Sequence, residues 1–278
     1  HALEAKKGES ILSLCTRNGI RVPRLCYHPC LPLQGSCGLC VVHINNQGAE
    51  SFANACVTKV QNGIRVNTLH QKVVDQVRSN LQKILDFHDE RCSSCIANKK
   101  CEFRNLCFEN KVSTIKDRRE IKYPVDNSTF SIRMDPSKCV DCKRCVRACK
   151  SIAGLKILKV APFKWREAVQ TNSGLSLDET QCIRCGQCVL YCPVGALTEH
   201  SQSREVLSDL RNHERKLNVC QLSPSVHIVL ADALGISPKE LTQGKLISAL
   251  RALGFDIVLD TKLAGDLLVM EEAANLVD

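Results

Sequence analysis

The spacing of apolar residues changes several times along the chain, and each change predicts a different element. Residues 9–18 are predicted to form a short helix ending at Gly19, and alternating apolar and polar residues predict strands over 41–44 and 64–67. From Thr68, with Gln71 completing a capping box, the spacing becomes helical, and one face carries Val73, Val77, Leu81, Ile84 and Leu85. This pattern predicts a small mixed domain followed by an amphipathic helix.

The last 75 residues follow a different pattern. An apolar strand over 217–222 precedes a helix with Ser223 as N-cap and Pro224 as its first residue. A second helix, ending at Gly254, precedes a strand over 255–260 and a final helix. This order predicts the opening of a parallel α/β domain. Because a parallel sheet needs both faces covered, we expect the domain to continue beyond Asp278 or to be completed by a partner.

Cysteine changes this picture more than any other residue. The chain has 19 cysteines in tight groups, whereas aromatic residues make up only 4%. Small cores need reinforcement, and tight grouping favours metal ligation over disulfides. No leader and no membrane-spanning stretch are seen, which predicts a soluble protein of a reducing compartment, cytoplasm or the matrix of a mitochondrion-like organelle. Since the chain starts at His1, we also expect an upstream segment.

Two cysteine runs of the same form, C-x2-C-x2-C-x3-C, provide the strongest motif, and Pro193 follows the second run. A tight loop can supply three of the four thiolates that a cubane needs, while the fourth comes from the other run. We therefore assign one 4Fe-4S cluster to Cys139, Cys142, Cys145 and Cys192, and another to Cys149, Cys182, Cys185 and Cys188. A zinc ribbon, which uses two CxxC pairs, leaves the third and fourth cysteines of each run unexplained.

A second motif lies near the N-terminus, with Gly35 and Gly38 in the loop that holds its middle cysteines. Glycines let backbone N–H groups approach a cluster. The spacing resembles that of plant-type 2Fe-2S ferredoxins, whose β-grasp fold suits the alternating strands. Cys30 is the second choice should Cys26 be wrong, and Cys15 is predicted to be a core residue. The predicted 2Fe-2S ligands are Cys26, Cys37, Cys40 and Cys56.

A third motif follows the amphipathic helix. A histidine on an apolar helix face is usually a core residue, but three cysteines directly downstream favour a ligand here. Cys107 competes with Cys101 for the last position, and a site with cysteines only, without the histidine, stays open. The predicted ligands of this 4Fe-4S cluster are His88, Cys92, Cys95 and Cys101.

The formal net charge of +9 treats every cysteine as neutral. Thiolates around four clusters would reduce it to about +2. Remaining basic residues are expected to help dock an acidic electron carrier; they include Lys138, Lys143, Arg144, Arg147 and Lys150. Nucleic-acid binding is not predicted, since no basic motif interleaved with aromatic residues accompanies the charge.

The order of these motifs resembles the iron–sulfur subunit of respiratory NADH dehydrogenase, related formate dehydrogenase and NAD-reducing hydrogenase subunits, and the monomeric FeFe hydrogenases. Residues 222–226, 245–256 and 266–273 are similar to the start of the FeFe hydrogenase catalytic domain. The resemblance implies a multidomain α+β protein: a β-grasp 2Fe-2S domain (1–68), a helical 4Fe-4S module with one histidine and three cysteine ligands (69–125), a two-cluster bacterial-type ferredoxin domain (126–203) and the start of a parallel α/β hydrogenase domain (204–278). A polar stretch over 116–120, followed by Pro124, is predicted to be a linker.

In that family the catalytic domain binds the H-cluster, a 4Fe-4S cube bridged to a di-iron site that interconverts protons and H2. The resemblance implies that Pro224 and Ser225 lie near the di-iron site and that Glu272 belongs to a proton path. The chain departs from the family at His227, usually arginine, and at Asn275, usually glutamate. The family's H-cluster cysteines fall downstream of this chain, which is therefore expected to carry electrons and not to evolve H2 alone.

The resemblance thus implies the electron relay of an iron hydrogenase, a ferredoxin hydrogenase type of oxidoreductase, in the cytoplasm or a hydrogenosome. Its cofactors would be one 2Fe-2S and three 4Fe-4S clusters, with an H-cluster only if the chain continues or a partner supplies it. The expected partners are ferredoxin or NADH-oxidising flavoprotein subunits, and the remainder of the hydrogenase domain. The alternative is a non-catalytic iron–sulfur subunit of an NADH dehydrogenase-like or NAD-linked complex.

Overall fold

The structure is a computed structural model that describes residues 2–113, 123–163, 166–211 and 217–277. It contains two compact units, residues 1–200 and residues 201–278. The predicted linker at 116–120 lies outside the described residues. Within the described ranges, every helix is too short or too polar to cross a lipid bilayer.

The first unit begins with a helix and a small antiparallel sheet. Helix α1 (Ile11–Arg17) is capped by Ser10, and three strands follow in the spatial order β2-β1-β3: β1 (Val41–Asn46), β2 (Ala49–Asn54) and β3 (Arg65–Asn67). Sequence reasoning missed β2, because its residues are mostly exposed and carry no apolar alternation. Its position comes from a two-residue hairpin turn in which Gln47 and Gly48 both adopt positive φ (51° and 95°).

Two helices continue the first unit. Helix α2 (Gln71–Leu85) buries the predicted face of Val73, Val77, Leu81 and Leu85. Its N-cap is His70, whose Nδ1 accepts a hydrogen bond from the backbone N of Lys72 (3.2 Å), so the capping box expected at Thr68 is wrong. Helix α3 (Glu102–Glu109) packs Phe103 into the same core.

The two similar cysteine runs share the same kind of element, a short helix. Each run leads into a helix, α4 (Arg144–Ser151) or α5 (Gln187–Leu190), and the hairpin of β5 (Leu158–Phe163) and β6 (Arg166–Thr171) lies between them in sequence. Strand β4 (Ile132–Met134) pairs antiparallel with β7 (Leu197–Glu199). Because β4 precedes the first run and β7 follows the second, this pairing places the start of one run beside the end of the other.

The second unit contains the predicted α/β elements. It comprises α6 (Ser203–Arg211), β8 (Val219–Leu222), α7 (Val226–Leu234), α8 (Gln243–Leu253), β9 (Ile257–Asp260) and α9 (Thr261–Val277). As predicted, β8 and β9 pair in parallel. The N-cap of α7 is Ser225, two residues later than expected. Gly235 and Gly254 end α7 and α8 with φ of 69° and 110°, which suits glycine.

Candidate iron–sulfur centres

The four cysteines predicted to bind the 2Fe-2S cluster come together beside the small sheet. Cys26, Cys40 and Cys56 are buried, and Cys37 is half-buried. Their thiols form two hydrogen-bonded pairs, Cys26 with Cys37 and Cys40 with Cys56. The bond from Cys37 lowers the pKa of Cys26 to about 5, and the bond from Cys40 lowers the pKa of Cys56. Convergent thiols, of which two favour the thiolate form, suit metal ligation.

Two other cysteines near this set, Cys30 and Cys15, have different surroundings. Cys30 is exposed, whereas Cys15 is buried among apolar residues of the first core, as predicted. The loop is held from outside by Asn80 on α2, whose Nδ2 donates to the Gly38 carbonyl (2.9 Å). A Cβ atom on Gly38 would lie 2.8 Å from that nitrogen, and its φ is +62°. A glycine is therefore needed where α2 clamps the ligand loop.

The predicted histidine-containing set lies between the end of α2 and the start of α3. His88 is 6% exposed, and its ring packs edge-on against Phe103 with 5.1 Å between centroids. Cys101 is the N-cap of α3, where its Sγ accepts a hydrogen bond from the backbone N of Arg104 (3.4 Å). Burial raises the pKa of Cys101, and the nearby Cys95 and Cys92 raise it further.

The competing ligand Cys107 stays close to the same set. It is buried on α3, and burial, followed by the charges of Cys101 and other neighbours, raises its pKa to about 12. The choice between Cys101 and Cys107 therefore remains a prediction.

Two cavities in the ferredoxin part are lined by the two predicted cysteine sets. One contains Cys139, Cys142, Cys145 and Cys192, and the other contains Cys149, Cys182, Cys185 and Cys188. In each cavity three cysteines come from one run and the fourth from the other. The β4–β7 pairing explains this exchange, and a bond from the backbone N of Asp135 to the Ala196 carbonyl (2.7 Å) continues it.

Burial governs the chemistry of these thiols. It raises the pKa of Cys192 to about 11 and that of Cys188 to about 12, and it also raises the pKa values of Cys142 and Cys145. Such thiols keep their protons near neutral pH, so metal binding must displace those protons. Four thiols around an apolar cavity are a donor set that fits a 4Fe-4S cluster.

Short contacts also join the sets to one another within the first unit. Glu102, next to Cys101, donates its backbone N–H to the carbonyl of Pro193, next to Cys192 (3.0 Å). A Cβ atom on Gly195 would lie only 2.8 Å from the Sγ of Cys95. The histidine-containing set is thus packed directly against the ferredoxin part.

Three of the basic residues expected to dock an electron carrier are buried, and for these the expectation is wrong. Lys138, Arg144 and Arg147 lie inside the first unit. Arg144 forms a two-pronged ion pair with Glu102 (2.7 and 2.9 Å) and donates to the Tyr27 carbonyl (2.9 Å). Sequence reasoning missed this role. The sequence signal for burial was the position of Arg144 and Arg147, which lie on either side of Cys145 on the helix that also carries Cys149.

The second unit places the predicted hydrogenase residues on different elements. Pro224 lines a cavity with His227 at the carboxyl ends of β8 and β9, Ser225 caps α7, and Glu272 is exposed on α9. The one cysteine within 201–278 is Cys220. This part of the chain therefore lacks the thiolates of an H-cluster, and the roles of Pro224, Ser225 and Glu272 remain predictions.

Comparison with protein families identifies domains of three kinds. A 2Fe-2S iron–sulfur cluster binding domain matches residues 1–71, and 4Fe-4S binding domains match residues 131–154 and 175–198. The C-terminal domain of the iron-only hydrogenase large subunit matches residues 216–278.

Curated relatives match most of the chain. The chain is 33% identical over 279 residues to the NADP-reducing hydrogenase subunit HndD of Solidesulfovibrio fructosivorans, covering 98% of this chain and 47% of that protein. It is 30% identical over 272 residues to iron hydrogenase 1 of Clostridium pasteurianum, covering 96% of this chain and 46% of that protein. Identity to an NADH-quinone oxidoreductase subunit of Rhizobium meliloti is 30% over 200 residues, 70% of this chain and 23% of the relative. The chain thus spans about half the length, or less, of these curated relatives.

A solved structure shares the fold. The crystal structure of an NAD+-reducing nickel–iron hydrogenase in the H2-reduced state aligns with a TM-score of 0.65 and 24% identity, covering 72% of this chain and 85% of that one. The domain matches and the curated relatives confirm the predicted resemblance. The chain is therefore similar over nearly its whole length to an NADP-reducing hydrogenase subunit and to an iron hydrogenase, and over 70% of its length to an NADH-quinone oxidoreductase subunit.

Proposed function

We propose that the chain is the iron–sulfur electron relay of an FeFe hydrogenase. It would pass single electrons between a ferredoxin or an NADH-linked flavoprotein and an H-cluster supplied outside these residues. The observation that carries this proposal is the pair of cysteine-lined cavities in the first unit, in the same chain as the hydrogenase domain match over 216–278. The protein would act in a reducing compartment, where its thiols stay available for clusters.

Four sets of side chains would hold the clusters. The 2Fe-2S cluster is assigned to Cys26, Cys37, Cys40 and Cys56, and one 4Fe-4S cluster to His88, Cys92, Cys95 and Cys101. The ferredoxin part would hold a 4Fe-4S cluster at Cys139, Cys142, Cys145 and Cys192, and another at Cys149, Cys182, Cys185 and Cys188. Each bound cluster would supply one-electron chemistry, and the protein would hold the clusters in position.

The contacts within the first unit suggest which sets are neighbours. The Glu102–Pro193 hydrogen bond links the backbone beside Cys101 to the backbone beside Cys192. Arg147 donates to the carbonyls of Cys26 and Cys142. The set that contains Cys142 and Cys192 is therefore linked to both upstream sets, to one through the Glu102–Pro193 hydrogen bond and to the other through Arg147. We propose that electrons from either upstream set pass through it.

A second candidate function is that of an iron–sulfur subunit in an NAD-linked complex without its own hydrogen chemistry. The match to an NADH-quinone oxidoreductase subunit over 70% of the chain favours it. The match of residues 216–278 to a hydrogenase domain favours the first proposal. Reduction by NADH in the presence of a flavoprotein subunit, without H2 evolution by the longest natural form of the protein, would support the second.

Metal content tests the relay directly. Protein prepared without oxygen should contain about 14 iron atoms per chain if all four clusters bind. Cys188→Ser should lose about 4 of them, whereas the matched variant Cys220→Ser should lose none, because Cys220 belongs to no assigned set. Iron near 4 per chain in the unsubstituted protein, or an excess of zinc, would contradict the proposal.

The histidine assignment needs its own test. His88→Ala should change the electron paramagnetic resonance signal of one 4Fe-4S cluster and leave the other signals intact. Cys101→Ser and Cys107→Ser separate the competing thiols, since only the true ligand should reproduce that change. An unaltered spectrum for His88→Ala would mean that His88 is a core histidine packed on Phe103 and not a cluster ligand.

A further inference from the structure

Helix α4 buries two arginines beside cysteines of different sets. The exposed fraction is 4% for Arg144 and 7% for Arg147. Arginine is almost never fully buried without a partner, because removing its charge from water is costly. Both residues therefore need a compensating interaction.

The two arginines meet this need differently. Arg144 is neutralised by the carboxylate of Glu102. Arg147 forms no ion pair with a carboxylate anywhere in the described part of the chain; its guanidinium instead donates to the carbonyls of Cys26 and Pro32, to that of Cys142 (3.4 Å) and, through Nε, to that of Lys143 (3.3 Å). Carbonyl oxygens satisfy its hydrogen bonds but leave its charge uncompensated.

The negative charge nearest to Arg147 would come from the cysteines of two predicted cluster sets once they bind iron as thiolates. The Arg147 guanidinium donates to the carbonyls of Cys26 and Cys142, which places it beside the 2Fe-2S set and beside the set that contains Cys142 and Cys145.

We propose that Arg147 is a positioning residue and the shared counter-cation of these two clusters. This inference rests on the proposed relay. The guanidinium ties the Cys26 backbone to the Cys142 backbone, and its positive charge favours the reduced, more negative form of both clusters. Each cluster takes one electron from the external donor and passes one on, while Arg147 keeps all of its protons.

The test uses the full chain loaded with iron and sulfide, and redox titrations followed by electron paramagnetic resonance. Arg147→Gln removes the charge but keeps a hydrogen-bond donor. It should lower the reduction equilibrium constant of the two clusters about tenfold, a fall of about 59 mV for one electron. Arg147→Lys keeps the charge and should stay near the unsubstituted value. The His88 set is the internal reference, since among the described residues the hydrogen bonds of Arg147 go to Cys26, Pro32, Cys142 and Lys143 and to no residue of that set.

Lys150→Gln is the matched control, because it removes the same charge from the same helix at an exposed position, where solvent and salt screen it. Unchanged potentials in loaded Arg147→Gln, or an equal fall in Arg147→Lys, would overturn the inference. So would failure of both variants to load the two clusters, which would make Arg147 a folding residue only. Absence of the two signals from the unsubstituted protein would overturn the proposed function and this inference together.

Discussion

Residues 1–200 and residues 201–278 differ in how completely they bury their large apolar side chains. In the first unit, Leu81 and Phe103 are at most 1% exposed, and their core continues through the ferredoxin cysteines. In the second unit, Leu268 is 57% exposed and Met270 is 68% exposed on α9. The large apolar residues buried there, within the described ranges, are Leu210 and Leu246, each 7% exposed.

This difference shows that a helix or strand can form from local signals without being buried in a core. In the second unit, local signals define the helices: Thr242 caps α8 through the backbone N of Lys245 (3.4 Å), and glycines end α7 and α8. In the first unit, thiols and their predicted metals complete an interior with few aromatics. The second unit therefore needs a covering surface that its own described residues do not provide.

Removal of the clusters should produce the largest difference between the two units, measured as amide hydrogen exchange. We expect iron chelation to increase amide hydrogen exchange about 100-fold or more in residues 139–149 and 182–192, because the thiols there lose the metals that hold the loops. Helices α7 and α8 should change little, which hydrogen exchange with mass spectrometry would reveal. Equal loss of protection in α7 and α8 would show that the two units unfold as one.

Truncating one leucine in each unit should sharpen the contrast in packing. Leu81→Ala should lower the free energy of unfolding by about 2–5 kcal/mol, since Leu81 is completely buried. Leu268→Ala should change it by no more than about 0.5 kcal/mol. Urea titrations followed by cluster absorbance and by circular dichroism measure the two. A comparable loss for Leu268→Ala would mean that α9 is covered in solution.

A pair of glycine substitutions gives a smaller effect. Gly195→Ala should cost about 1–3 kcal/mol and disturb the signal of the His88 cluster, because the new Cβ would press on Cys95. Gly265→Ala, inside α9 with open space around it, should stabilise its helix by up to about 1 kcal/mol. Thermal unfolding and electron paramagnetic resonance test both, and an unaltered His88 signal in Gly195→Ala would contradict the contact with Cys95.

Much of the fold was predictable because its signals are local. The buried face of α2 and the paired cysteine runs follow from spacing within short segments, and the parallel β8–β9 pair follows from the order of strands and helices along the last 75 residues. Strand β2 was not predictable, since its exposed residues carry no pattern and only a hairpin turn aligns them. The capping positions of α2 and α7 also shifted, to His70 and Ser225, because several polar residues compete at a helix start.

The sequence by itself determined which chemistry the chain is built for, since cysteine spacing encodes how a loop can surround a cluster. Only the tertiary structure decided which residues from distant segments meet. The β4–β7 pairing explains why each cavity receives one cysteine from the other run. Burial decided that Arg144 and Arg147 face inward rather than toward an electron carrier. Charge is visible in a sequence, but the environment of that charge depends on packing between segments more than 100 residues apart, such as Arg147 and Cys26.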